Sequence, residues 1–404
     1  MRFRLHGARL VDASLDLSGG DIVVEDELIK AVGYQQGAVD GELVIDAADA
    51  VIVPGFIEVH THGGGGYRLH TTSVAEIQSY ARWATTTGVT AFLAAVVGVP
   101  AALPEPQVRT VVAAVRAFAE KSHAPGAEPL GIHLEGPYIS SKRRGAHPPA
   151  WLRTPDEAET ARLLEVSEGY LRLITLAPEL PGAREMIRRM IEAGVTVSMG
   201  HTDSNYEQSV EAIRLGITHM THCFNAMRPL LHREPGPLAA VVQEQRVFGE
   251  IIADGVHVHP AVVNALIRML GPERTIVVTD AQAGAGLPLD AVFEFAGQKL
   301  HIAQGAARLE NGALAGSVLT MDSALRNIIQ MTGVSLQEAV GMLTLNPAKA
   351  ARVDNRKARL RCGYEADLLI LDNSLKLQAT LCRGTPAFAT AAWRERLQSL
   401  MRPL

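Results

Sequence analysis

Along the first fifty residues, short apolar runs alternate with Gly and Asp turns: Ala8 to Val11, Asp21 to Val24, Leu28 to Val32 and Leu43 to Ile45. Strand side chains face opposite sides in turn, so brief runs broken by turn formers predict a small antiparallel sheet. Val51 to Val53 ends at Pro54-Gly55, and beyond it apolar runs alternate with stretches of helical period. The runs are Phe56 to Val59, Val89 to Val97, Leu130 to Leu134, Leu171 to Leu176, Val195 to Met199, Ile217 to Met220, Phe248 to Ile252 and Thr275 to Val278. Between or after them, helical spacing covers Glu185 to Glu192, Tyr206 to Leu215, Pro260 to Met269 and Met321 to Met331. Two helix starts carry cap signals: Ser73 with Glu76, and Thr154 with Pro155 and Glu157.

Eight strand runs with a repeating βα period predict an α/β fold, a (β/α)8 TIM barrel rather than a doubly wound sheet. After Asn346-Pro347 the texture returns to short strands, as in Ala366 to Leu371, with none expected beyond Leu381. The division expected is a β-sandwich built from both termini, residues 1–53 and 349–404 with a C-terminal tail, around a barrel of residues 54–348. At 404 residues the length suits that arrangement.

Composition narrows the function classes. Hydrophobic residues make up 47% and charged residues 20%, which excludes a disordered or fibrous chain. With 38 Lys and Arg against 43 Asp and Glu, no broad basic face for nucleic acid is expected. Cys223, Cys362 and Cys382 form no Cys-x-x-Cys pair, so a disulfide framework and a thiolate zinc site both drop out, and a reducing cytoplasm is expected. The most apolar stretch, Val89 to Leu103, is too short to span a bilayer and holds Gly98 and Pro100. No secretory signal is read at the N-terminus.

The chemistry sits where strands end. His60 and His62, Glu135, His201, His222, His257 and Asp280 each follow the carboxyl end of a predicted strand, the active-site face of such a barrel. His60-Thr61-His62 sets two imidazoles on one side of its strand, and imidazole with carboxylate is a donor set for divalent zinc or iron. The glycines Gly63 to Gly66 would let backbone pass close to a ligand; a P-loop is rejected because the Gly-Lys-Ser/Thr ending is absent. Glu135, before Gly136-Pro137, is costly to bury unless paired or metal-bound. Asp280 closes the apolar run Thr275 to Thr279, placed to take a proton from an attacking water and pass it to a leaving nitrogen. His219 lies within its strand and reads as a core residue, and Lys142-Arg143-Arg144 as a solvated loop.

These residues, with the segments PGFIEVHTHGGGG, HLEGPYISSKRRGAHPP, MGHTDS, THCFNAMRPLLHREPG, ADGVHVHP, VVTDAQ and LAGSVLTMD, resemble the amidohydrolase superfamily, and within it the amino-sugar phosphate deacetylases. The resemblance covers nearly the whole chain and implies hydrolysis of the acetamide of N-acetylglucosamine 6-phosphate, with the galacto epimer as the alternative. It implies that Glu135, His201 and His222 hold the principal metal, zinc first with iron, manganese or cobalt behind it, and that His60 and His62 hold a second ion. Asp280 would be the acid/base and His147 would polarise the acetyl carbonyl, while His257, the backbone at Asn225-Ala226 and Arg233 from a neighbouring subunit of a homodimer would hold the sugar phosphate. Tyr67-Arg68 depart from the small or acidic residues of the family pattern. Ring-opening relatives use a modified lysine where this chain offers Glu135, and base deaminases lack the Asn-Ala-Met and Arg-Glu-Pro-Gly segments. A non-catalytic scaffold would be expected to lose ligands, and none is missing.

Overall fold

Strands Phe56–Thr61, Val89–Val97, Glu128–Glu135, Leu171–Leu176, Thr196–Met199, His219–Met220, Phe248–Ile252 and Thr275–Val278 pair in sequence order, all parallel, in a computed structural model. It describes residues 1–404 apart from 35–36, 38–40, 121–124, 296 and 402–404. The ring closes at its active-site end, where Asp280 N–H donates to His60 C=O at 2.9 Å and His62 N–H to Ala281 C=O at 2.8 Å. Every residue of Val89–Val97 is buried, as a strand covered by core on one face and helices on the other requires. The eight expected strands are the eight of the barrel.

Helix boundaries differ in detail. Ser73 caps Val74–Ala84 by accepting Glu76 N–H, but the Glu76 carboxylate turns to Thr71 and Arg68, so half the expected box forms. Asp156, not Thr154, caps Glu157–Ser167, because its carboxylate accepts Glu159 N–H at 2.8 Å. Helix Glu105–Glu120 is an element for which no expectation was drawn, although its buried Val108, Val111 and Val112 stand at helical spacing. After the eighth strand comes an unanticipated antiparallel sheet, Val292–Phe295, Gln298–Ala303, Ala306–Leu309 and Leu314–Ser317.

The satellite sheet draws on both ends of the chain. Arg2–Val11 pairs antiparallel with Asp16–Glu25, yet parallel with Leu43–Asp46 along its first half and with Val51–Pro54 along its second. The early sheet is therefore mixed rather than antiparallel. The fork lies at Gly7, whose φ of +80° suits glycine. Leu368–Leu371 joins Val51–Pro54, and a further hairpin follows through Arg383-Gly384, both at positive φ as a two-residue turn of this kind demands. That places a strand, Thr385–Ala389, after Leu381 where none was expected. Asn346-Pro347 lies inside helix Leu345–Ala350, where proline in the first turn forfeits no hydrogen bond.

A buried charge cluster ties satellite to barrel. Lys357, 1% exposed, sets Nζ 2.9 Å from Glu128, 2.6 Å from Asp367 and 2.5 Å from Glu365. Glu128 opens the third barrel strand and Asp367 precedes a satellite strand, so the lysine bridges the two units. Burial disfavours the charges of Lys357 and Glu128, but the pairing outweighs it, raising the lysine and bringing the Glu128 carboxyl down to about 2.

Candidate active site

Strand ends bring Glu135, His201, His222, His60, His62, His147 and Asp280 to one point. Glu135 Oε1 lies 3.1 Å from His201 Nε2, 3.2 Å from His222 Nε2 and 3.2 Å from His60 Nε2. Its other oxygen lies 3.2 Å from His62 Nε2 and 3.5 Å from His147 Nε2. Asp280 Oδ1 is 3.2 Å from His62 Nε2 and 3.7 Å from His60 Nε2. All except the slightly exposed Asp280 are buried.

The backbone is bent out of the strands to achieve this. His201, His222 and Asp280 have φ of +48°, +29° and +49°, in the left-handed region that residues with a Cβ rarely occupy. Such strain costs of order 1–3 kcal/mol per residue and persists only where surrounding structure enforces it. Here the enforcing contacts include the barrel-closing bonds on either side of Asp280.

Partners on the far side of each ring decide what faces inward. His201 Nδ1 donates to Arg143 C=O at 2.9 Å, so the neutral ring presents a bare Nε2. That nitrogen lies 3.0 Å from His222 Nε2. His60 Nδ1 bonds the buried Glu250 carboxylate at 2.9 Å, turning its own Nε2 inward with no hydrogen-bond partner among the described residues. Among the same residues His222 Nδ1 and His62 Nδ1 have none either. Lone pairs and carboxylate oxygens converging without donors between them are satisfied by a cation, and the residues fit a divalent ion. Two triads of metal-ligating groups exist among the described residues, His60/His62/Asp280 and Glu135/His147/His201.

Electrostatics agree. Burial raises the Glu135 carboxyl, but His60 and the other imidazoles outweigh it and hold it well below the usual range. Burial likewise opposes ionisation of Asp280, yet His60 and His62 bring it down to about 2. Against its own desolvation, His62 is pulled up to about 9 by Asp280 and Glu135. Both carboxylates are ionised at neutral pH.

A cavity of about 170 Å³ at this point is lined by Asn225, Ala226 and His257 together with the clustered imidazoles and carboxylates. His257 Nδ1 is held by Asp254 at 2.6 Å and its Nε2 has no partner. Ala226 N–H makes no hydrogen bond with a described residue. Arg233 lies outside the cavity, exposed on a loop that ends as helix Gly236–Gln243 begins, with Nη1 2.8 Å from His232. The segment from His232 through Pro235 is a loop, and Gly236 opens the helix.

Two sequence readings need correction. Gly64 and Gly65 do not face a ligand: a Cβ on either would strike the Trp83 ring, at 2.1 Å and 2.4 Å. Lys142 and Arg143 are not a free solvated run; both reach Asp203, at 3.3 Å and 2.9 Å, which fixes the carbonyl that orients His201. His219 behaves as a core histidine, stacked on Phe248 with centroids 5.2 Å apart and pushed down to about 3 by burial. Sequence reasoning missed Glu250, which looks like an isolated acid in an apolar strand because its partner His60 lies 190 positions away. It also missed Gln282 and Phe295, which line the cavity. Exchanging Glu250 for Gln removes the charge that orients His60, and metal affinity at the His60/His62 end is expected to fall about 10–100-fold, measured by competition with a chromogenic chelator.

A parallel barrel carrying imidazoles and carboxylates at its carboxyl end defines a hydrolase of the metal-dependent barrel class. The amidohydrolase family pattern matches residues 51–395, and the chain belongs to that family. It is 34% identical over 382 residues to N-acetylglucosamine-6-phosphate deacetylase of Bacillus subtilis (strain 168), covering 91% of this chain and 95% of the relative. It is 35% identical over 336 residues to N-acetylgalactosamine-6-phosphate deacetylase of Escherichia coli O157:H7, covering 83% and 87%. Among solved structures, N-acetyl-D-glucosamine-6-phosphate deacetylase of Mycobacterium smegmatis, a mutant in complex with N-acetyl-D-glucosamine-6-phosphate, matches with a TM-score of 0.88 and 34% identity over 96% of this chain and all of that one. No helix among the described residues is long and apolar enough to cross a membrane.

Proposed function

We propose that this chain hydrolyses the acetamide of N-acetylglucosamine 6-phosphate to glucosamine 6-phosphate and acetate. The observation carrying this reading is one cavity lined both by the cluster of Glu135, His201, His222, His147 and Asp280 and by Asn225, Ala226 and His257. The test is an acetate-release assay on the gluco and galacto 6-phosphates, each beside its unphosphorylated sugar. Fastest turnover of the gluco phosphate supports the reading. Preference for the galacto phosphate, which the Escherichia coli relative's name favours, replaces it with that epimer.

Glu135, His201 and His222 would hold the principal ion, and His60 and His62 a second; zinc suits a donor set this rich in imidazole. When bound, a divalent ion supplies Lewis acidity that polarises a carbonyl and makes an attacking water more acidic. Asp280 takes the proton of that water and delivers it to the departing amine nitrogen, acting as base and then as acid. His147, at the carboxylate centre, hydrogen-bonds the acetyl oxygen as charge develops on it. Burial lowers the His257 imidazole, but its bond to Asp254 outweighs that and raises it, which suits the ring to a phosphate. The Ala226 N–H adds a second donor.

Arg233 completes the phosphate site from the neighbouring subunit, which makes the active unit a homodimer. Its exposed position on the loop after the sixth strand supports an outward reach, and its planar fork suits phosphate oxygens. Arg233→Ala should lower kcat/KM for the phosphorylated substrate by about 10–150-fold, the worth of one charge-assisted hydrogen bond, and leave the unphosphorylated sugar little changed. Mixing it with Asp280→Asn after subunit exchange should restore part of the activity, since a hybrid dimer has one intact site. Full activity from a sedimenting monomer overturns the shared site. Cytoplasmic residence is part of the same proposal, supported by three free cysteines.

A further inference from the structure

The first and last barrel strands, Phe56–Thr61 and Thr275–Val278, are neighbours in the ring but pair in no ladder among the described residues. A side chain fills part of that gap. Glu58 shares the inward face of its strand with His60 and is 1% exposed. One carboxylate oxygen accepts His60 N–H at 2.9 Å, and the other accepts Thr279 N–H across the seam at 3.0 Å. Burial raises this carboxyl to about 7 against those two bonds, a cost that an apolar side chain in the same strand would avoid.

Ser317, fully buried at the end of Leu314–Ser317, meets the same stretch of backbone. Its Oγ donates to Thr279 C=O at 2.5 Å and accepts Leu319 N–H at 3.0 Å, while its own N–H donates to Asp280 C=O at 2.8 Å. With Asp280 N–H on His60 C=O at 2.9 Å, every backbone donor and acceptor of Thr279 and Asp280 is engaged. Four bonds on two successive residues hold Asp280 at its φ of +49°, a conformation that persists only where its surroundings impose it. The direction in which the Asp280 carboxylate leaves the chain follows from that backbone. Neither Glu58 nor Ser317 lines the catalytic cavity itself.

We propose that Glu58 and Ser317 are positioning residues for the proton shuttle, clamping the seam of the barrel so that Asp280 is aimed at the hydrolytic centre. The proposal rests on the reading of Asp280 as acid and base and deepens it. Glutamine at position 58 keeps the shape but offers one acceptor oxygen and an NH2 group, so one of the two backbone N–H groups loses its partner. Alanine at position 317 removes the hydroxyl that holds Thr279 C=O. The test measures kcat and KM on the N-acetylamino-sugar 6-phosphate that turns over faster, for Glu58→Gln, Ser317→Ala, Asp280→Asn and each clamp change combined with Asp280→Asn, with metal content matched by elemental analysis. Glu58→Gln and Ser317→Ala should each lower kcat about 10–100-fold and leave KM within about threefold, the size of effect that a misplacement of about 1 Å produces. On the Asp280→Asn background the same changes should cost less than about threefold, because no shuttle is left to aim and residues acting as a unit are not additive. A merely structural role would cost the same factor in both backgrounds, and that outcome overturns the clamp alone. So does a loss confined to KM, or near wild-type kcat in both clamp variants. Ser317→Ala carries the test by itself should Glu58→Gln fail to fold. Near wild-type kcat in Asp280→Asn removes the shuttle reading, and the clamp falls with it.

Discussion

Stripping divalent ions from the protein abolishes turnover while leaving the chain folded. Lewis-acid polarisation supplies several kcal/mol of transition-state stabilisation, so the rate should fall by more than about 10³-fold, and return on adding zinc. The reason is local. Inward-facing nitrogens of His60, His201 and His222 each lie 3.1–3.2 Å from one oxygen of Glu135, and the Arg143 carbonyl engages His201 at its far nitrogen, Nδ1. Without a cation, these groups must share protons among themselves, which leaves imidazolium where substrate oxygen should meet a Lewis acid. Ligand binding to the native state alone also raises its stability, so melting temperature should drop on stripping and recover with the ion. Elemental analysis must accompany both readings: a sample verified as metal-free that keeps its rate would falsify the mechanism. Occupancy near two ions per chain supports the role of His60 and His62, and occupancy near one removes it.

Most of this centre was legible in sequence for one physical reason. Polar residues at the carboxyl ends of apolar strands are conspicuous, because nothing in a barrel core explains them, and the βα period tells which end they occupy. His60, Glu135, His201, His222 and Asp280 all announce themselves that way. Residues whose partners lie elsewhere in the chain do not. Glu250 sits in mid-strand, and only closure of the ring brings His60 to its carboxylate. The glycine run after His62 has the look of a ligand cradle, but its smallness serves the indole of Trp83, on a helix whose packing no local pattern specifies.

Caps and inserts were hidden for different reasons. Thr154 and Asp156 are both competent helix caps, and the choice between them rests on which side chain reaches the Glu159 amide. The sheet from Val292 to Ser317 is made of strands of four to six residues, and although Gln298–Ala303 and Leu314–Ser317 alternate in burial, runs that short give too few repeats of the period to stand out. Yet it delivers Phe295 and Ala315 to the cavity. Arg233 marks the opposite limit: its motif is plain in sequence, while a single chain gives it no phosphate site to complete.

Replacing Asp280 by Asn should lower kcat by about 10²–10⁴-fold with little change in KM, the span general acid-base groups command. The substitution keeps the shape of the side chain, and the backbone at φ +49° tolerates Asn as readily as Asp. It removes the charge that His60 and His62 stabilise, and with it the only carboxylate lining the cavity not surrounded by imidazoles on both oxygens. Glu135 cannot take over, because both its oxygens face ring nitrogens, whereas those contacts engage only one oxygen of Asp280. His147 is the remaining candidate: its ring is within the same cavity and burial keeps it neutral, so it can accept a proton. The two assignments separate by comparing the two single variants on two substrates. If Asp280 shuttles the proton and His147 polarises the carbonyl, Asp280→Asn and His147→Gln each slow turnover, and the N-trifluoroacetyl substrate, whose carbonyl needs less activation, rescues the His147 variant far more than the Asp280 variant. Near wild-type kcat in Asp280→Asn, or equal rescue of both, moves the proton to His147.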